Sequence, residues 1–301
     1  MSRGDRVAVS GILSNSMRSN YNEHGVDEYY KKVGSTYRNP HYPGIRTCLF
    51  SWLNKWWEME LENVSSGPED QILVFDMACG TGEATLAFLE WWKTGKRLYT
   101  ESLAPNKEPK LSANLPLPRR KTILSPPSLG PESPSPRVIA ADPYTSTAYH
   151  ERTRLPCSAL SFKDVAEGSL PQDIYDLARG PQEPMSRTSA EYLEAAAHQP
   201  NPADMSLSSP HIEMVICSFA MHLIENPSEL FSLLWELSTK ARWLVILAPH
   251  KKPELKEGWG WSKWNTDTWQ ECLMTEHAGE LLNDRVHCRI YRSVNCVEGM
   301  Q

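Results

Sequence analysis

The sequence predicts a doubly wound α/β fold on a mostly parallel sheet, and two observations carry that expectation. Residues 72–75 form a short apolar run ending at Asp76, a loop of small residues follows to Gly82, and a helix-forming stretch runs from Glu83 to Lys93. That order reads as a buried strand, a tight turn and a helix start. Short apolar runs then recur at 138–141, 212–217 and 243–248, each leading into a polar or turn-forming loop. A later run, 286–291, fits the antiparallel end of such a sheet.

Residues 1–70 read as an N-terminal helical lid or cap, and 71–301 as the sheet domain. In the first region, 26–33 suits a short helix carrying Tyr29 and Tyr30, and 34–44 is a polar, aromatic loop between turn formers. Ile45, Leu49, Trp52, Leu53, Trp56 and Trp57 then recur at near-helical spacing, giving an aromatic face suited to core packing. The sheet domain carries two proline-rich insertions, at about 99–137 and 171–210. Proline this dense cannot hold a helix or an interior strand. The first insertion is therefore expected as disordered or extended surface chain, and the second holds one candidate helix at 189–197. Arg119, Arg120 and Lys121 read as a solvated charge run, with nuclear import or an acidic partner as alternatives.

The glycine loop points to a ligand. Gly80 and Gly82 carry no Cβ, so backbone can approach a bound molecule closely, and the helix start adds oriented N–H groups. Glu83 stands where a phosphate loop would place its Lys-Ser/Thr pair, and the full dinucleotide glycine pattern is missing. The loop suits a nucleoside with an amino-acid tail better than a pyrophosphate. An acidic residue at the tip of a second strand accepts ribose hydroxyls in doubly wound folds, which singles out Asp142. Its alternative role is a turn or helix-cap aspartate.

The stretch Asp76-Met77-Ala78-Cys79-Gly80-Thr81-Gly82-Glu83 resembles the first motif of class I S-adenosylmethionine-dependent methyltransferases, with Ala78 where that family more often has glycine. The later runs stand in the matching order. The resemblance implies a Rossmann-like, seven-stranded sheet and S-adenosylmethionine as cofactor. It implies cofactor contacts from Asp76, Ala78, Cys79, Gly80 and Gly82, and from Asp142 and Pro143. Asp164 and Val165, in a segment like the family's third motif, would meet the adenine, and Cys217 and Ser218 would lie beside the methionine part. Tyr30, Tyr37 and Arg38 would close over the methionine end as a lid, Arg38 through a two-pronged contact to the carboxylate. A surface ion pair is the other reading of Arg38.

Methyl transfer asks for alignment, exclusion of water and, for an alcohol or protonated amine, removal of a proton. His222, after the fourth strand of the expected fold, and His250, after the fifth, are the candidate bases, because imidazole titrates near neutrality. Packed structural histidines are the competing view. His41, Lys251 and Trp259 are the candidate acceptor contacts, the last two in a loop of cations, rings and glycines suited to an anionic or aromatic group. No metal site is expected.

At 301 residues the chain can bury one large core, and no apolar run approaches a membrane span. The start of the chain lacks the layout of a signal peptide, and its 7 scattered cysteines suit a reducing compartment, cytoplasmic or nuclear. A net charge of −6 gives no global attraction to nucleic acid. A small-molecule acceptor methylated on oxygen or nitrogen ranks first, a protein second and RNA third. A non-catalytic cofactor-binding scaffold, engaging a protein partner through the proline-rich insertions, is the alternative of a different class.

Overall fold

The computed structural model describes residues 38–60, 71–103, 124–174, 212–249 and 251–296. The candidate helices at 26–33 and 189–197, the Arg119 cluster, Tyr30, Tyr37 and His250 lie outside the described residues.

In chain order the elements are α1 (Tyr42–Glu60), β1 (Gln71–Met77), α2 (Glu83–Leu103), β2 (Ser135–Ala141), α3 (Ser146–Thr153) and α4 (Phe162–Ala166). β3 (Ile212–Ser218), a 3-10 turn (Met221–Leu223), α5 (Pro227–Ser238) and β4 (Ala241–Ala248) follow. The chain then adds β5 (Trp261–Asn265), β6 (Gln270–Cys272), β7 (Leu281–Asn283) and β8 (Val286–Ser293). The strands make one eight-stranded sheet in the order β2-β1-β3-β4-β8-β5-β6, with β7 beside β8. β2, β1, β3 and β4 are mutually parallel, and the pairings beyond β4 are antiparallel. This is a mixed α/β architecture.

Alternation along the strands explains the layering. Successive side chains point to opposite faces, and in β1, β3 and β4 both faces are covered, so nearly every residue is apolar. Val74, Ile216 and Val245 pack with α1 and α2 on one face; Phe75, Val215 and Leu244 pack with α5 on the other. The aromatic stripe of α1 is core: Trp52 and Trp56 are fully buried, and Trp52 stacks on Trp269 at 5.4 Å. Thus α1 belongs to the same hydrophobic core as the sheet. Beneath it, Glu60 and Glu213 lie 3.7 and 3.6 Å from the buried Arg242 guanidinium.

Several expectations are corrected. The seven-stranded sheet becomes eight-stranded, and the chain after β2 adds one isolated parallel bridge, Ala141 to Ser158, before the third-motif segment turns helical. The reason is local. Ser161 caps the next residues: its hydroxyl accepts the Asp164 N–H at 3.3 Å, and Asp164 accepts the Ser161 N–H at 2.8 Å. That capping box starts α4.

The first insertion is shorter than expected. Residues 99–103 continue α2, and β2 begins at Ser135 and includes Pro136. Proline is tolerated there because β2 is the edge of the parallel half. Residues 124–130 have no regular structure and pack on α2, where Leu129 is fully buried and donates its N–H to Gly95 O at 3.1 Å, and a turn at 130–133 leads into β2. Among the described residues no helix is long and apolar enough to cross a membrane.

Candidate ligand site at the strand tips

β1 leaves the sheet at Met77 into a loop with three left-handed residues, Ala78 (φ 55°), Gly80 (φ 56°) and Gly82 (φ 88°). Such a run curls the backbone tightly and turns its amides toward one concavity. A Cβ on Gly80 would meet only Glu83 Oε2, at 3.8 Å, so this side of the loop is open. A Cβ on Gly82 would lie 2.5 Å from Thr153 Cγ2, so that side is closed against α3.

Asp76 sits under the loop, 1% exposed. Its Oδ2 accepts the N–H of Thr85 at 3.1 Å and the Thr85 hydroxyl at 2.6 Å, which secures the first turn of α2. Because the Thr85 proton is used there, Tyr149 donates to Thr85 Oγ1 at 3.0 Å. Asp76 Oδ1 is buried with no hydrogen-bond partner. Burial, opposed by the Thr85 bonds, pushes this carboxyl up to about 7.

Asp142, at the tip of β2, ties three backbone groups. Its Oδ2 accepts the Gly80 N–H at 3.0 Å, and its Oδ1 accepts the N–H of Tyr144 at 2.9 Å and Thr145 at 3.0 Å. Thr145 returns its hydroxyl to Gly80 O at 2.6 Å. Glu83, the first residue of α2, is a second hub. Its Oε1 accepts from Thr81 Oγ1 at 2.9 Å, Arg152 Nη1 at 2.5 Å and the Asn39 N–H at 3.3 Å. The chain entering α1 is thereby fastened to the glycine loop. His41, in that segment, stacks on Phe219 at 5.1 Å, just beyond the tip of β3.

The structure brings together Asp76, Ala78, Cys79, Gly80, Gly82 and Asp142, with Arg38 and His41 on the segment bonded to Glu83. Cys217, Ser218 and His222 stand at the β3 tip and the 3-10 turn after it, Ser218 Oγ buried without a hydrogen-bond partner. Burial pushes the Cys217 thiol up to about 12, so it stays protonated. Asp164 and Val165 lie in the first turns of α4. The Asp164 carboxylate holds the capping box, whose Ser161 hydroxyl keeps its pKa low, and the Val165 N–H goes to Ser161 O at 3.2 Å. Pro143 is exposed in the turn after Asp142.

The loop after β4 is anchored through its backbone. Lys251 is exposed, and the carbonyls of Lys251, Lys252 and Pro253 are gripped by the Arg289 guanidinium at 2.6–2.8 Å. Trp259 packs edge-on against Phe231 of α5 at 5.9 Å, part of the α5 layer. Glu83, Asn39, Arg152 and Phe219 were not singled out by sequence reasoning. A carboxylate directly after the glycine loop was the available signal for Glu83. Nothing local marks Arg152, whose partners lie about seventy residues away. Among the described residues no group of three or more His, Cys, Asp or Glu is arranged to hold a metal ion.

The fold and site define an open α/β protein whose glycine loop lies at the tips of adjacent parallel strands, where such folds take ligands. No family model matches the chain. It is 37% identical over 284 residues, 94% of each chain, to the uncharacterized protein C17A5.05c of Schizosaccharomyces pombe, and it belongs to the family of that protein. Two crystal structures of magnesium protoporphyrin IX methyltransferase (ChlM) from Synechocystis PCC 6803 also match. The one with bound SAM is 13% identical at a TM-score of 0.32, covering 91% of this chain and 92% of that one. The one with bound SAH is 12% identical at 0.34, covering 91% and 95%. At these scores the likeness carries no functional argument.

Proposed function

We propose that the chain is an S-adenosylmethionine-dependent methyltransferase acting on an oxygen or nitrogen of a small molecule. One observation carries the reading: an open glycine turn, Ala78 to Gly82, lies between Asp76 and Asp142 at the tips of neighbouring parallel strands. The residues fit the cofactor. The buried Asp76 Oδ1 has no hydrogen-bond partner, and a ligand donor or cation would satisfy it, and the open face at Gly80 admits a group that a Cβ would displace.

When bound, the cofactor supplies an already electrophilic methyl group, so the protein needs no covalent nucleophile. Gly80 and Gly82 give close backbone approach, and Asp142 fixes the loop from below. Beyond its three backbone bonds, Asp142 keeps one acceptor site, on Oδ2, for a ribose hydroxyl. The segment with Arg38 and His41 closes the site from the N-terminal side, Arg38 pairing with the amino-acid carboxylate. Ser218 and His222 line the exit of β3, where the acceptor docks against the His41–Phe219 pair, and imidazole takes the acceptor proton. In this reading 1–70 acts as the cap of the 71–301 domain, in a cytoplasmic or nuclear setting, and the insertions serve protein partners.

The test is titration of the purified protein with S-adenosylhomocysteine, followed by incubation with labelled S-adenosylmethionine and a cell extract split into small-molecule, RNA and protein fractions. Label in the small-molecule fraction supports the reading. Label in the RNA or protein fraction overturns the acceptor class, and tight binding with no label anywhere makes the chain a scaffold. Absence of binding removes the proposal altogether.

A further inference from the structure

The glycine loop holds a thiol that the function above does not use. Cys79 Sγ lies 3.5 Å from Cys157 Sγ, and the two meet beside the small side chain of Ala140, against Tyr149. They come from opposite flanks of β2. The Cys79 N–H donates to Ala141 O at 3.1 Å, and the Ser158 N–H donates to Ala140 O at 2.9 Å. Among the described residues, this is the pair of cysteines whose sulfurs the fold brings into contact. Cys79 is 5% exposed, whereas Cys157 is half-buried and within reach of a small oxidant.

We propose that Cys79 and Cys157 form a reversible disulfide under hydroperoxide oxidation, and that this bond distorts the glycine loop. The Cys157 sulfur, as thiolate, attacks the peroxide, taking one oxygen and releasing hydroxide, which gives a sulfenic acid. The Cys79 sulfur then displaces that oxygen from Cys157, and its proton leaves with it as water. Two thiols and one hydrogen peroxide thus give one disulfide and two waters. Burial raises the Cys79 thiol well above its ordinary range, which leaves it protonated and assigns the first attack to Cys157.

The consequence follows from the bond length. A disulfide needs its sulfurs about 2.05 Å apart, so the pair must close by about 1.5 Å. β2 and the Ser158 bridge hold the Cys157 side, whereas Cys79 stands between the left-handed residues Ala78 and Gly80. The loop therefore moves, at the expense of the Cys79–Ala141 and Gly80–Asp142 hydrogen bonds.

The test uses the full chain treated with hydrogen peroxide, digested with trypsin without reductant and mapped by mass. The expected product joins peptides 56–93 and 155–163, disappears with dithiothreitol, and is missing from Cys157→Ser. Amide hydrogen exchange at Cys79 and Gly80 is expected to quicken at least tenfold in the oxidised protein and to return on reduction. Sulfinic acid at Cys157 without the cross-link, or a cross-link to another cysteine, overturns the pairing. A correct cross-link with unchanged exchange overturns the loop movement. Neither readout needs a cofactor, so the outcome is independent of the function proposed above.

Discussion

Asp142 Oδ2 accepts the N–H of Gly80 at 3.0 Å, so the carboxylate at the tip of β2 is a brace for the loop at the tip of β1. Its other oxygen takes two further amides, of Tyr144 and Thr145. Replacing it with alanine leaves three amides without their acceptor and frees the loop. Asp142→Ala is expected to weaken S-adenosylhomocysteine binding by about tenfold or more, or about 1.4 kcal/mol. Asp142→Asn keeps one acceptor oxygen and should fall between. Titration calorimetry on the three proteins checks this, and equal affinities would show that the brace does not shape the site.

A pH effect follows from Asp76. Its carboxyl rises from 3.8 to about 7 because folding buries it. A raised acid pKa means that the folded state holds the proton more tightly. Stability from this group is therefore fully present at low pH and is lost as pH climbs from about 4 through about 7. Asp76→Asn mimics the protonated form and can still accept from Thr85. Relative to the parent, the variant should gain roughly 1 kcal/mol or more between pH 5 and pH 8. Urea unfolding at several pH values measures the difference, and a gap that does not change with pH contradicts the assignment.

These residues show how far the sequence could be read. β1, β3 and β4 were legible because burial on both faces forces nearly continuous apolar runs, and the α1 stripe because its tryptophans repeat at the period of a helix. The positions of Asp76 and Asp142 were legible for the same reason: each ends an apolar run. Their bonding was not, because it depends on which backbone amides a loop turns inward. Asp164 shows another local signal. Ser161 stands three residues earlier, and the capping box takes Asp164 Oδ2, a bond that its place in the motif order did not announce. Pro136 was read as a breaker, whereas an edge strand tolerates it. The Glu83 hub joins segments separated by 44 and 69 residues, and no window of sequence shows that.

Glu83 and Arg152 should be energetically coupled. Their contact is 2.5 Å, with the Glu83 side chain 6% and the Arg152 side chain 25% exposed, so the pair is largely desolvated. Removing either partner leaves a buried charge or donor unmatched. A double-mutant cycle with Glu83→Gln and Arg152→Met is expected to give a coupling between about 0.5 and 3 kcal/mol in urea unfolding. Strict additivity would mean that Thr81 and Asn39 hold Glu83 in place without the arginine.

Gly80 and Gly82 should separate binding from stability. Both need positive φ, so alanine at either costs about 1–2 kcal/mol in backbone strain. The two differ in what the new Cβ meets. At position 80 its nearest neighbour is Glu83 Oε2 at 3.8 Å, so the methyl group fills open space beside the loop. At position 82 it would sit 2.5 Å from Thr153 Cγ2 and 3.2 Å from the Tyr149 ring, both held by α3. Gly82→Ala must therefore displace α3 and should lose more stability than the backbone term alone, with binding lost as a secondary effect. Gly80→Ala should fold with only the backbone penalty and still lose S-adenosylhomocysteine affinity by about tenfold or more. Unfolding curves and ligand titrations on the two variants decide the point. If Gly80→Ala binds as the parent does, the open side of the turn is not where the ligand lies.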